Sequence, residues 1–510
     1  MKQVTSYISL PTPCRTPDRL ATIALLHGLT PADIDKAKVL DIGCGQGWDI
    51  ISLAYTYPNA QFIGIDFSID AIEEGRKTIK ELNLSNIKFE CSDIAHYSTE
   101  EKFDYIFCHG VYTWVSEELS HHILELCHNL LSEKGLAYIS YNALPAWGTR
   151  SVLREALRHF TSSVKEEEKV EKARETISFM LSALQNYPTP YSMSLQLELK
   201  NALKSSDGFI AQELLADEAH AEYLHTFISK AKQHHLIYIG EAKFERMVSN
   251  RLDEISDAQE LSSAINAMSS FEDQEQALDF LFPTWLRQGV LHKENASKKE
   301  LTELEKNNLL KNLYISSPLV PSDPRDSEGG EDVFMSPTGS HVQITSRYIR
   351  HALRTLNMTW PAYTKITDLY DTLTNRPCYA FSDFAKELLI LFQKGQIELH
   401  IAPEKFSSIL GEKPKVSQLA VLQAKTQDWV TSLKQEYTLL TDFEKSLLPF
   451  LDGEHTKDDL ITAIKNLIDN QDLNIKDEFK SEANEAELKD VISDGIDEAL
   501  HHLYESALIQ

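Results

Sequence analysis

Val39-Leu40-Asp41-Ile42-Gly43-Cys44-Gly45-Gln46-Gly47 is the stretch on which the reading of this chain turns. A short apolar run meets glycines at every second position, and a helical pattern begins directly after them. A strand that enters such a turn predicts positive φ and a ligand approaching bare backbone. A nucleotide-like ligand would then lie across the carboxyl ends of the strands, at the switch point of a parallel sheet. The dinucleotide fingerprint GxGxxG, counted from Gly43, wants its third glycine at 48, and that position is Trp48. The spacing therefore disfavours a nicotinamide dehydrogenase.

Working outward, five strand-like runs alternate with helical patterns. They are Val39–Ile42, Phe62–Ile65, Ile87–Glu90, Tyr105–Cys108 and Leu136–Tyr141, with helical periodicity at Ser68–Asn83 and Glu117–Leu131. This alternation predicts an α/β fold with helices on both faces of a parallel sheet. Ahead of it, Thr16-Pro17 and Thr30-Pro31 each set an N-cap before a proline at N1, which predicts two short helices, the first ended by Gly28. Residues 149–230 read as helical, interrupted at Tyr187-Pro188-Thr189-Pro190. Two late strands, Leu236–Gly240 and Gly289–Leu291, are expected to complete the first sheet, because five strands alone would leave an apolar edge. The expected organisation is a seven-stranded Rossmann-like core from 1–145 and 211–297, interrupted by a helical insertion at 146–210. Beyond it, the turn Ser336-Pro337-Thr338-Gly339, helical patterns at 346–357 and 383–394, and the strand Ile397–Ile401 predict a winged-helix-like unit at 298–410. Residues 411–510 read as acidic and mostly helical.

Composition narrows the function. The 510 residues are 42% hydrophobic and 25% charged, an ordinary globular balance. Lys plus Arg is 50 and Asp plus Glu is 77, so the net charge of −27 makes nucleic acid a poor partner. No run of about 18 apolar residues occurs, so no membrane-spanning helix is expected. The N-terminus carries no signal-like apolar core. The six cysteines form no CxxC pair, which argues against a zinc site or a disulfide framework and fits a reducing cytoplasm. The pairs His121-His122, His234-His235 and His501-His502 lack ligand spacing and read as surface histidines.

A GxG turn behind an acidic strand end resembles the first motif of class I S-adenosylmethionine-dependent methyltransferases. The resemblance implies that the carbonyl of Gly43 and the carboxylate of Asp41 hold the cofactor's ammonium, with Cys44 and Gly45 completing the turn. Asp66 closes the second strand, where a carboxylate can accept both ribose hydroxyls while Phe67 packs on the adenine. Asp93 and Ile94 follow the third strand, and the family's pattern gives them the adenine amino group and ring. Any one of these aspartates could be a simple N-cap or turn residue; three at successive strand ends behind a glycine turn point to a site. After the fourth strand comes Cys108-His109-Gly110-Val111-Tyr112-Thr113-Trp114-Val115, and after the fifth Tyr141-Asn142-Ala143-Leu144-Pro145-Ala146-Trp147. In this fold these segments face the transferred methyl group. The first is not the Asn/Asp-Pro-Pro-Tyr/Phe pattern of methyltransferases acting on adenine or glutamine amides. Methyl transfer from a sulfonium needs no metal, only a neutral, aligned nucleophile in a site of low polarity. His109 reads equally as proton acceptor, cofactor contact or core residue. Tyr112, Trp114 and Tyr141 read as walls of a lysine channel or as core, and Asn142 as an amine ligand or a strand-end partner. Tyr7, in the N-terminal arm, could close over the cofactor, but a plain arm residue is the favoured reading.

The resemblance extends further. Thr16-Pro17-Asp18-Arg19-Leu20-Ala21, His109-Gly110-Val111-Tyr112, Tyr141–Pro145, Phe227–Phe244, Leu278-Asp279-Phe280-Leu281 with Arg287-Gln288, and Leu448–Gly453 are similar to bacterial methyltransferases carrying a methyltransferase regulatory domain. Among these the chain most resembles the rickettsial lysine methyltransferases that modify outer-membrane proteins. That implies a homodimer, with the dimerisation element in the helical insertion, and an open cleft between the core and the C-terminal units. Pro145-Ala146 and Gln212-Glu213 depart from the group's pattern, which calls proline-glycine and a His-Glu pair there. The expected function is methyl transfer from S-adenosylmethionine to protein lysines. The rivals are a small-molecule methyltransferase and a non-catalytic, cofactor-binding regulator.

Overall fold

A computed structural model describes residues 11–247, 259–294, 299–323, 332–373, 379–470, 473 and 485–510. Tyr7 and Cys378 lie outside the described residues, as do most of the Ser322–Asp332 loop and much of the acidic stretch 469–498.

The glycine turn joins β1 (Lys38–Ile42) to α2 (Trp48–Thr56), and β2 (Gln61–Asp66) leads into α3 (Ile69–Glu81). β3 (Ile87–Cys91) and β4 (Phe103–Cys108) follow, then α4 (Glu117–Leu130) and β5 (Leu131–Asn142). Ahead of them, α1 (Pro17–Leu26) starts where Thr16 accepts a hydrogen bond from the amide of Arg19. The second expected helix is absent as an α-helix. A 3-10 turn, Ile34–Lys36, stands there, and its cap is Asp33, not Thr30.

β6 (Leu236–Glu241) and β7 (Leu286–Lys293) join the same sheet, whose strand order is β3-β2-β1-β4-β5-β7-β6. β7 runs antiparallel to both neighbours, pairing Tyr141 with Arg287 and Tyr238 with Leu291. The seven-stranded Rossmann-like core is therefore completed by strands from far along the chain. One face is covered by an apolar core that includes Leu20, Ile50, Leu53 and Ile72, the other by one that includes Ile123, Leu124, Phe227 and Ile228. A sheet buried on both faces accounts for strands that read as near-continuous apolar runs.

Between β5 and β6 lies the helical insertion: α5 (Gly148–Thr161), α6 (Lys169–Leu184) and α7 (Pro190–Lys204), with a π-turn at Ile210–Leu214. Thr189 and Ser192 form a reciprocal cap at the start of α7, where the proline-rich interruption was read. These helices bury their own core, including Leu157, Ile177 and Leu199. α8 (Leu224–Gln233) then returns the chain to the sheet. A buried network fastens the late strands: Arg287 on β7 reaches Asp279 (2.8 Å), Glu241 (3.0 Å) and Glu275 (3.3 Å).

Two further cores follow. The first gathers Ile315, Phe334, Leu353, Phe384 and Leu399 around small antiparallel sheets, with the hairpin Asp332–Met335 and His341–Ile344 turning through Gly339 at φ +81°. The second gathers Val430, Leu447, Leu460, Ile496 and Leu508. Both contact helices that cover one face of that sheet. His400 Nδ1 and the Ile401 amide meet Asp18 on α1 at 2.8 and 2.9 Å. Gln435, at the tip of a hairpin, hydrogen-bonds Ser52 and Thr56 on α2. Among the described residues, no helix is long and apolar enough to cross a membrane.

Candidate cofactor and methyl-transfer site

The turn behaves as its glycines require. Gly43, Gly45 and Gly47 all hold positive φ, at +75°, +57° and +76°. At Gly43 a Cβ would strike Val111, and at Gly47 the ring of Phe89, whereas at Gly45 nothing lies within 4 Å. Gly43 and Gly47 are thus needed for close packing, and Gly45 opens onto space where a ligand can touch backbone. The amides of Gly43 and Cys44 both donate to the carbonyl of Ile65, which anchors the turn on the end of β2.

Asp66 ends β2 beside this turn. Its Oδ2 accepts from the Gly45 amide at 2.9 Å and its Oδ1 from the Ser68 amide at 2.8 Å. Each carboxylate oxygen has a second lone pair for a hydroxyl. Phe67, next to it, is 80% exposed, a ring with a free face. Asp93 is exposed and caps the 3-10 turn Ile94–His96 through the Ala95 amide (2.9 Å), so its bland role as a cap is present alongside any other. Ile94 packs partly against the core. Asp41 is wholly buried. One of its oxygens meets Arg15 at 3.3 Å, and the other accepts no hydrogen bond among the described residues. Burial pushes its carboxyl up, while Arg15 pulls it down.

The five residues expected at the methyl end share one rim of the sheet but keep different company. His109 Nδ1 lies 2.9 Å from the Tyr138 hydroxyl. Burial, helped by Arg15 and Lys243, holds its imidazole down to about 3, so it is neutral at physiological pH. Tyr112 and Tyr141 are each only 1% exposed. Tyr141 stacks on Phe227 with centroids 4.3 Å apart, and Tyr112 meets the same ring edge-on at 5.6 Å. Trp114 turns towards the insertion, edge-on to Trp147 at 5.8 Å and under the Arg154 guanidinium at 5.5 Å. Asn142 uses its backbone, donating to Thr113 Oγ1 (2.8 Å) and accepting from the Glu222 amide. Its side-chain amide makes no hydrogen bond among the described residues.

Residues that the sequence reading passed over complete the surroundings. Arg15 bridges Asp41 and Asp49. Ser140 accepts from the Gly110 amide at 2.9 Å, and Tyr138 holds His109. A polar residue inside an apolar strand, as Tyr138 and Ser140 are, is the one signal that could have flagged them. Of the histidine pairs, His501 and His502 are exposed as read, but His121 and His234 are half-buried and share a 2.9 Å hydrogen bond between α4 and the end of α8. A cavity of about 310 Å³ lies elsewhere, between α1 and the two later units, lined by residues such as Asp18, Glu398, His400 and Lys434.

Comparison with known proteins agrees with this geometry. The family description "Methyltransferase domain" matches residues 34–219, "Predicted methyltransferase regulatory domain" matches 206–293, and "PKMT, C-terminal winged helix domain" matches 412–508. The winged-helix description falls on the last unit; the sequence reading expected one such unit at 298–410 and a mostly helical one after it. The solved structure of PKMT2 from Rickettsia typhi superimposes with a TM-score of 0.85 at 28% identity, covering 99% of this chain and 100% of that one. PKMT2 in complex with AdoHcy gives 0.84 at 27% identity, covering 99% of each. Uncharacterized protein RP789 of Rickettsia prowazekii is 28% identical over 95% of this chain and 89% of its own length. Uncharacterized protein RP028 of the same organism is 38% identical over 45% of this chain and 94% of its own length.

S-adenosylmethionine is thus the cofactor, and the residues present fit it: an open glycine, a carboxylate with free lone pairs, an exposed ring and a buried carboxylate oxygen that accepts no hydrogen bond among the described residues. The chain belongs to the class I S-adenosylmethionine-dependent methyltransferases that carry a methyltransferase regulatory domain.

Proposed function

We propose that this methyltransferase acts on lysine side chains of a protein, an outer-membrane or other surface protein of a bacterium. The observation that supports this best is the end-to-end likeness to PKMT2, which includes the C-terminal unit and is not confined to the common core. When bound, S-adenosylmethionine supplies a methyl group on a sulfonium, open to in-line attack. In this reading Asp41, Gly43, Cys44 and Gly45 hold the amino-acid end, Asp66 the ribose, and Phe67, Asp93 and Ile94 the adenine, with His109 at the cofactor's flank.

The acceptor side has to receive a neutral amine. Burial disfavours an ammonium, so a lysine entering a dry, aromatic-walled slot loses its proton more readily. We assign Tyr112, Tyr141 and Trp114 to that wall and the side-chain amide of Asn142 to orienting the amine. An imidazole held at about 3 cannot take a proton from an ammonium at neutral pH, so His109 serves by contact and shape and the proton leaves to water. The division into a core (1–145 and 211–297), an insertion that dimerises (146–210) and two later units (298–410 and 411–510) belongs to the same proposal. So do the homodimer and the cytoplasmic location.

The test is incubation with tritiated S-adenosylmethionine and candidate surface proteins, followed by mass spectrometry of their lysines. Acid-precipitable label on lysine is expected. Label confined to small molecules would favour the small-molecule rival, and binding without turnover the regulator.

A further inference from the structure

Arg15 sits just ahead of α1 and is almost wholly buried. Its Nε donates to Asp49 Oδ2 at 2.6 Å, its Nη2 pairs with the same carboxylate, and its Nη1 reaches Asp41 Oδ1 at 3.3 Å. Asp41 lies near the end of β1 and Asp49 in the first turn of α2. One guanidinium therefore spans both sides of the glycine turn. Two carboxylates share it, so with both ionised the cluster is one positive charge short. Among the described residues two oxygens of the cluster are buried and accept no hydrogen bond, Asp41 Oδ2 and Asp49 Oδ1; Asp49 already takes two of the guanidinium's nitrogens, so the shortfall falls on Asp41. A buried carboxylate oxygen with no partner is costly unless a cation or donor arrives. The cofactor's amino-acid end carries such a cation.

We propose that Arg15 is a positioning residue for S-adenosylmethionine: it grips Asp41 by Oδ1, with much of its own charge drawn to Asp49, and so leaves Oδ2 anionic and aimed for the cofactor's ammonium. This rests on the reading of Asp41 as the ammonium's partner. The fork of the guanidinium is essential to the argument, because a lysine is a point charge that cannot span two carboxylates in fixed directions. Asp49 is essential too. Without it, the full charge of Arg15 would fall on Asp41 and compete with the ammonium.

The experiment is calorimetry with two probes, S-adenosylhomocysteine and 5′-methylthioadenosine. The second keeps the adenosine and thioether but lacks the amino-acid end. The proteins are the wild type, Arg15→Lys, Asp49→Asn and Asp41→Asn, each checked for folding by thermal melting. All three variants are expected to lose about tenfold in affinity for S-adenosylhomocysteine while 5′-methylthioadenosine stays within about twofold. Equal losses for both probes in Arg15→Lys and Asp49→Asn would mean a merely structural role and would overturn the proposal. A selective loss in Asp41→Asn alone would keep the Asp41 reading and remove Arg15 from it. No loss in Asp41→Asn would sink both. If Arg15→Lys does not fold, Asp49→Asn, which keeps the guanidinium, decides the matter.

Discussion

Arg15 and Arg287 are both buried guanidinium groups set among carboxylates in the same core, yet they leave different atoms without partners. Arg287 joins β7 to Glu241 at the end of β6 and to Glu275 and Asp279 on the helix Phe271–Leu281. Glu241 is further held by the Tyr238 hydroxyl and the Gln288 amide, both at 2.7 Å. Among the described residues, what lacks a hydrogen-bond partner there is a donor, Arg287 Nη2. Around Arg15 they are acceptors, Asp49 Oδ1 and Asp41 Oδ2, the latter beside a turn that opens onto space at Gly45. Buried ion pairs are weak evidence of net stabilisation, because desolvation offsets much of the attraction. Their roles are better read from what they fasten and what they leave over. The Arg287 network fastens late strands to an early sheet. The Arg15 cluster keeps a place for a cation.

The difference can be broken by experiment. Arg287→Met should leave three carboxylates around a missing cation and cost about 3–5 kcal/mol of stability in chemical denaturation. The folded fraction should bind S-adenosylhomocysteine and 5′-methylthioadenosine in the wild-type ratio; a selective loss of the first would erase the contrast with Arg15. Asp66→Ala should do the reverse, lowering cofactor affinity by roughly 100-fold, about 3 kcal/mol, with the melting temperature little changed. Unchanged affinity in calorimetry would remove Asp66 from the site.

Smaller effects sharpen the same picture through pH. For a lysine acceptor, kcat/KM should climb with pH as the amine loses its proton, with no inflection near 6.5, because His109 is held at about 3. An inflection there that His109→Asn abolishes would restore His109 as a proton acceptor. The slightest effect is expected at the joint of α1 with the middle unit, where Asp18 lies 2.8 Å from His400. Burial acts to lower the pKa of His400, but its carboxylate partners Asp18 and Glu398 outweigh it and raise the value. A raised folded-state pKa stabilises fully below the unfolded value and ceases to do so as pH rises through the folded one. The melting advantage of wild type over His400→Gln should therefore be largest near pH 6 and shrink by about pH 9.

Much of the cofactor half was legible. Strands β1 to β4 are short, largely apolar runs, β5 starts five residues earlier than the Leu136–Tyr141 run that was read, and the acids at 41, 66 and 93 lie at or just after strand ends. The late strands were legible by a different argument, the exposed edge that five strands would leave. Thr30-Pro31 misled because its cap-and-proline signal was read without the competing cap at Asp33. The acceptor half was far less legible. Nothing in Cys108–Val115 distinguishes Tyr112, sealed against Phe227, from Trp114, turned to Trp147 and Arg154. Phe227 is more than a hundred residues away, and Arg154 belongs to the insertion.

By itself, then, the sequence determined the glycine turn, its acids and the α/β order, because backbone conformation and strand–turn–helix succession are encoded within some ten neighbouring residues. Only the tertiary structure decided that Arg15 shares Asp41 with Asp49, that β7 enters antiparallel under the grip of Arg287, and that Tyr112 and Tyr141 are buried against Phe227. Those outcomes depend on burial and charge pairing between segments far apart in the chain, and no local pattern carries them.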